Sequence, residues 1–261
     1  MNIILNADDF GISAEVNLGI KYCFEKGFCS TASLMPNMPN FDEACEIAHE
    51  AGFADRLGVH LTLGEGEPLT NEIRCLRRFC SEDGQLCLAP KIPVLFLSTT
   101  EQRALAREIR AQIVACKSNG IEISHLDSHN HTHNEWAILN VVLPIAREEK
   151  ISFIRPTRNI APSKSLPFAV YKTIYNKRLR RGDLLRCEGF GSVPDLVRAV
   201  HDDPNSIPFK SIELMLHPAM YSAGTIVDTV ENCLVFELLN QVRGVLPNAQ
   251  IVCNRHIVAG F

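Results

Sequence analysis

The sequence predicts an α/β protein whose strands close, or nearly close, into a parallel barrel of seven or eight mostly parallel strands. Three observations lead there. Short apolar segments alternate with amphipathic, helix-like segments seven or eight times along the chain, and no Gly-x-Gly-x-x-Gly turn marks a dinucleotide-binding sheet. The length of 261 residues suits one such barrel, typically about 250 residues. Asp and His residues also fall at the ends of the strand-like segments, where a parallel barrel collects its chemistry.

Taken in order, Ile3–Leu5 read as a buried strand that stops at Asp8-Asp9, and Ser13 precedes an amphipathic run from Ala14 to Lys26 closed by Gly27. Ser30 to Met35 form a second strand. Asn40 and Glu43 then make a capping-box-like start to a helix reaching Ala51. Arg56 to Leu63 is a third strand that contains His60. From 64 to 98 the pattern weakens among glycines and prolines, as expected of an insertion or lid within the single domain spanning 1–261. Thr100 to Ser118 is the clearest helix, and Ile121, Ile123 and Leu126 lead into a histidine cluster. Asn134 to Lys150 is helical despite Pro144, and Ser152 to Ile154 is a short strand ending at Arg155-Pro156. The second half offers a helix over Leu166 to Arg180, a strand over Cys187 to Phe190 and a helix over Val193 to His201. It continues with a strand over Ser211 to Leu216, a helix over Val227 to Arg243 and a last strand over Gln250 to Cys253.

Composition narrows the function classes. A net charge of -4 without a long basic run argues against nucleic acid as a partner, which would require clustered cations facing phosphates. The one basic cluster, Lys177 to Arg181, sits in the last turn of a predicted helix, where cations favour the helix dipole. The ten cysteines are scattered without a Cys-x-x-Cys pair and read as reduced thiols. With no signal-peptide pattern and no apolar run near the roughly 20 residues of a membrane span, the expectation is a cytoplasmic protein without membrane insertion.

The chemistry concentrates in three stretches. His125-Leu126-Asp127-Ser128-His129-Asn130-His131-Thr132-His133 holds four of the nine histidines, and the others are Asn6-Ala7-Asp8-Asp9-Phe10-Gly11 and Gly58-Val59-His60-Leu61-Thr62-Leu63. His217 follows a late strand. Two histidines with one carboxylate bind divalent metals while leaving positions open for water and substrate, and Mg, Mn, Co, Ni and Zn all suit that set. Neighbouring residues on an extended segment point to opposite sides, so Asp8 and Asp9 divide two tasks, one at the metal and one at a proton. Each residue has a plainer role open to it: Asp8-Asp9 as a helix cap, His60 and His217 as core histidines, Arg155 as a barrel ion pair. His49, His201 and His256 belong to the structural background.

These three blocks, with Glu213-Leu214-Met215-Leu216-His217-Pro218 later on, resemble the signature blocks of the YdjC-like carbohydrate deacetylases, which include chitooligosaccharide deacetylases. The similarity runs from residue 1 to about 155 and is silent between about 157 and 210. The resemblance implies a deformed, TIM-like barrel that hydrolyses the N-acetyl group of an amino sugar with one divalent metal, Mg or Zn foremost. It implies Asp9, His60 and His129 as metal ligands, Asp8 as general base and His217 as general acid. Asp127, His125, His131, His133 and Arg155 become substrate-facing or supporting residues, with Arg155 either orienting Asp8 or binding substrate. The partners implied are an N-acetylated sugar and a second copy of the chain in a homodimer. A metal-dependent phosphoesterase and a non-catalytic sugar-binding or regulatory protein on the same scaffold are the competing expectations.

Overall fold

Strand β1 (Asn2–Phe10) is the axis of the molecule, and Ile3, Ile4, Leu5 and Ala7 along it are fully buried or nearly so. Both faces of a parallel strand are covered, which is why it reads as a continuous apolar run rather than an alternation. The computed structural model describes residues 1–89, 93–163, 165–182, 184, 187–203, 205–222 and 224–253. After β1 come α1 (Ala14–Lys26), β2 (Thr31–Leu34), α2 (Phe41–Glu50), β3 (Leu57–Leu61), the single turn α3 (Asn71–Arg74), α4 (Thr99–Ser118), β4 (Leu126–Ser128) and α5 (Trp136–Glu148). The second half adds α6 (Leu166–Arg181), β5 (Gly189–Ser192), α7 (Val193–Asp202), β6 (Ser211–Leu216), β7 (Pro218–Ser222), β8 (Thr225–Asp228), β9 (Cys233–Leu234), α8 (Val235–Val245) and β10 (Gln250–Ile251).

The main sheet runs β4-β3-β2-β1-β6-β5, every pairing parallel, with β10 joining β1 at Asn2 and Ile3. The predicted strand over Ser152 to Ile154 shrinks to one parallel bridge between Ile154 and Leu126. That segment nevertheless spans the open side of the curled sheet. Ile154 N–H donates to Leu184 O at 2.7 Å, while Asn159 N–H donates to Phe190 O at 3.0 Å and Phe190 N–H to Asn159 Oδ1 at 2.8 Å. The outcome is the deformed parallel barrel expected from the sequence, with helices outside it.

Two local expectations need correction. The helix expected over Val227 to Arg243 begins only at Val235. Thr225–Asp228 and Cys233–Leu234 instead join Pro218–Ser222 in a small antiparallel sheet, its turn passing through Asn232 at φ 54°. Asn40 makes no side-chain cap to α2, its Nδ2 bonding the Glu43 carboxylate at 3.3 Å instead. Pro144 lies inside α5 without ending it, as expected. The capping predicted elsewhere is present: Ser13 accepts from Val16 N–H, and Gly27 closes α1 at φ 67°, the left-handed conformation that suits glycine. Between residues 64 and 98 the described part carries α3 and a bridge between Cys80 and Leu86. Among the described residues no helix is long and apolar enough to cross a membrane.

Candidate active site

All parallel strands end on one side, and β1, β3, β4 and β6 deliver Asp8 and Asp9, His60, Asp127 with the adjacent His129, and His217 there. The two aspartates are separated by backbone. The register of β1 against β2 shifts between Ala7 and Phe10, and Asp9 sits at φ 68°, a left-handed conformation unusual for a residue with a side chain. Asp8 therefore meets Arg155, and Asp9 meets the histidines.

His60 Nε2 lies 3.2 Å and His129 Nδ1 2.8 Å from the same Asp9 Oδ1, and one ligand atom from each of the three residues falls within 4.8 Å of the others. The far nitrogen of each ring is also engaged. His60 Nδ1 is 2.7 Å from Asp127 Oδ1, and His129 Nε2 is 2.5 Å from Glu65 Oε1. Burial works against a charged His60, but Asp127, Asp9 and Asp8 outweigh it and raise its pKa to about 10. Burial likewise opposes the Asp9 carboxylate, yet its bonds to His129 and His60 pull it far below the usual carboxylate range. Positive charge is thus favoured at the point these groups face. Two imidazoles and a carboxylate aimed at that point, each imidazole backed by another carboxylate, fit a divalent cation.

A second close set, Asp8, His60 and Asp127, offers the same donor types. Its carboxylates are already taken by Arg155, which is fully buried. The guanidinium donates from Nη1 to Asp8 Oδ2 at 2.8 Å, from Nη2 to Asp8 Oδ1 at 2.7 Å and from Nε to Glu213 Oε1 at 2.7 Å. Nη2 also lies 2.6 Å from Asp127 Oδ2, and the guanidinium stacks 4.8 Å from the Phe190 ring centre. Burial raises the Asp8 pKa, but the Arg155 charge reverses the shift and leaves the group ionised at neutral pH. Of the two roles expected for Arg155, its burial fits orienting Asp8 rather than reaching substrate.

The histidine cluster divides. His125 is buried, with Nε2 3.0 Å from Ser33 Oγ, and its ring occupies the space where a Cβ on Gly58 would stand. His133 is buried between Ser128 Oγ at 2.5 Å and the Arg155 carbonyl at 3.1 Å, and burial pushes its pKa down to about 4. His131, held at φ 54°, borders a small cavity that Asp8, Asp9 and His60 also line, and burial lowers its pKa to about 3. His217 also lines that cavity, its Nε2 3.9 Å from Asp8 Oδ2 and its N–H donating to Asp228 Oδ2 at 2.8 Å. His49 bonds the Asn119 carbonyl, His201 is exposed, and His256 lies outside the described residues.

Sequence reasoning missed four supports. Ser33 Oγ donates to Asp127 Oδ2 at 2.8 Å, and Asn6 Nδ2 donates to Asp8 Oδ1 at 2.7 Å. Glu213 anchors Arg155, and Glu65 faces His129. A serine inside a fully buried four-residue strand was a usable signal, because a buried hydroxyl requires a partner. Nothing local marked Glu65.

Fold and site together define a parallel α/β barrel with a two-histidine, one-carboxylate pocket at the C-terminal ends of its strands. The profile of the YdjC-like protein family matches residues 2–234, and the chain belongs to that family. A carbohydrate deacetylase of Brevibacillus brevis is 32% identical over 84% of this chain and 82% of its own length. One of Clostridium beijerinckii is 29% identical over 84% and 81%. A solved structure from Enterococcus faecalis, whose name proposes a role in cellobiose-phosphate cleavage, superposes with a TM-score of 0.71 at 20% identity, covering 98% of both chains. It shares the fold.

Proposed function

We propose that the protein is a metal-dependent hydrolase that removes the N-acetyl group from amino sugars, chitooligosaccharides or related N-acetylated carbohydrates, and releases acetate. The observation that carries this reading is the convergence of Asp9, His60 and His129 beside a separate, ionised Asp8. The names of the relatives from Brevibacillus and Clostridium supply the substrate class. Arg155 stands where a second cation would neutralise Asp8 and Asp127, which favours one metal and disfavours a multi-metal phosphoesterase.

Asp9, His60 and His129 would hold the ion, with Asp127 and Glu65 fixing the tautomers of the two rings. A divalent cation there supplies polarisation of the acetamide carbonyl and of the attacking water. Asp8 accepts the proton of that water, and the fork of Arg155 together with Asn6 holds its carboxylate in one orientation. A low carboxylate pKa keeps Asp8 ready as the base at neutral pH. His217, on the cavity wall next to Asp8, delivers a proton to the departing amine, whose loss as an anion would be prohibitively slow.

Acetate release from diacetylchitobiose, followed with and without exhaustive chelation, tests the proposal. The expected result is turnover that chelation removes and added divalent metal restores; turnover that survives complete metal removal overturns it. Asp8→Asn should keep the bound metal and lower kcat by about 10²- to 10⁴-fold, the range for losing a general base.

A further inference from the structure

We propose that the cavity beside the catalytic pocket is a subsite for a second sugar ring, in which Phe168 supplies a stacking surface and His131 and Asn134 read the ring's polar groups. The inference rests on the deacetylase reading above and extends it to residues that neither the family match nor the relatives assign.

The catalytic cavity is small, about 290 Å³, and includes Asp8, Asp9, His60 and His217. Asn130, His131 and Arg158 line it and also line a neighbouring cavity of about 550 Å³, so the two adjoin through these three side chains. A substrate larger than one ring, seated with its acetamide at the catalytic residues, has this neighbour to enter. Arg158 is fixed at the junction: Asp195 accepts from its Nη2 at 2.6 Å and from Nε at 3.2 Å.

The walls of the larger cavity are apolar. Phe168 and Tyr171 come from α6, and Pro93 and Leu95 from the loop before α4. Phe168 and Leu95 are 53% and 51% exposed, large apolar groups left half in water around a concave site. Such surfaces mark ligand grooves. The polar side of the cavity is equally unfinished: His131 Nδ1 and Asn134 Oδ1 are buried, and neither has a hydrogen-bond partner among the described residues. Buried polar atoms without partners are rare and costly, and these two border the same cavity. The backbone holds them in place, His131 at φ 54° and Asn134 through its carbonyl, which accepts from Tyr171 Oη at 2.5 Å.

An occupant must therefore cover an aromatic wall on one side and bond two polar atoms on the other. A purely apolar chain would leave His131 and Asn134 unpaired, and a fully polar group would waste the wall. A pyranose meets both demands, with C–H groups on its face and hydroxyl or acetamido groups on its rim.

The test compares kcat/KM for diacetylchitobiose and for N-acetylglucosamine in wild type, Phe168→Ala and Asn134→Ala. Wild type should prefer the disaccharide, and each variant should lower the ratio of the two constants by about three- to tenfold, the effect of losing one stacking or hydrogen-bonding contact. A wild type indifferent to the second ring, or a ratio unmoved in both variants, overturns the subsite. If wild type deacetylates neither sugar, the deacetylase reading fails. Calorimetric titration of the metal-free protein with diacetylchitobiose then decides the cavity alone: binding weakened by both substitutions supports the subsite, and no binding, or binding indifferent to them, overturns it.

Discussion

Beneath the pocket of Asp9, His60 and His129 lies a buried hub and beside it an open groove, and the two treat polar atoms in opposite ways. In the hub, Arg155 engages Asp8, Asp127 and Glu213, while Ser33 and Asn6 bond the oxygens of Asp127 and Asp8. In the groove, His131 Nδ1 and Asn134 Oδ1 lie buried without partners among the described residues, and Phe168 stands half in water. Complete pairing holds geometry, since each carboxylate has one low-energy orientation. Incomplete pairing leaves free energy to be gained when a ligand arrives. The contrast separates residues whose polar atoms are paired within the fold from residues left open to a ligand.

The strongest way to break this contrast is to empty the hub. Arg155→Leu leaves Asp8, Asp127 and Glu213 facing one another without their shared cation, and removal of one partner from a buried ion pair costs about 3–5 kcal/mol. The expected outcome is a chain that is largely unfolded or insoluble at neutral pH, measured by denaturant titration. A variant that unfolds within about 1 kcal/mol of wild type would mean the hub is ornamental.

A smaller test sharpens the boundary. Glu65 belongs to the half-exposed loop, tethered where Asn37 Nδ2 donates to its carbonyl at 3.1 Å, yet its carboxylate does a hub residue's task at His129. Glu65→Gln should leave the fold intact and weaken metal affinity about 10- to 100-fold, the usual effect of losing a carboxylate behind a ligand histidine. Competition with a fluorescent chelator measures it. Unchanged affinity would confine the supporting role to Asp127.

Much of this arrangement is legible in the sequence. Asp9, His60 and His129 are the expected residue types at the expected strand ends, and the structure brings them to one point. The hub's further cross-bracing, Ser33 to Asp127 and Glu213 to Arg155, is not legible, because these are contacts across 94 and 58 residues. Arg155 orienting Asp8, by contrast, is one of the two roles expected of it. Periodicity misleads between Val227 and Arg243 for a related reason. Apolar residues there continue at helix-like spacing through a hairpin, and the left-handed Asn232 that turns the chain leaves no hydrophobic signal. The small antiparallel sheet packs on α1, where a Cβ on Gly19 would come within 2.8 Å of the Pro218 carbonyl oxygen, so a glycine in mid-helix marks a close approach.

The neutral histidines of the cluster give a pH effect with a defined sign. His133 falls to about 4 in the folded protein from an ordinary value of 6.5. Between those values the unfolded chain binds a proton that the native state excludes, so stability falls as the pH falls. Asp8 and Asp127, with folded values below 3.8, lose their contributions only further down. His60, raised to about 10, contributes fully below 6.5 and loses stability only as the pH rises through that folded value. The window from pH 6 to pH 4.5 therefore isolates His131 and His133. Over it, metal-free protein should lose about 2 kcal/mol through His133 alone. Denaturant titration at both pH values measures the loss. His133→Asn, which keeps a polar side chain beside Ser128, should reduce the slope to the share left by His131 while lowering stability at both. A slope as steep in the variant as in wild type would place the acid sensitivity outside the hub.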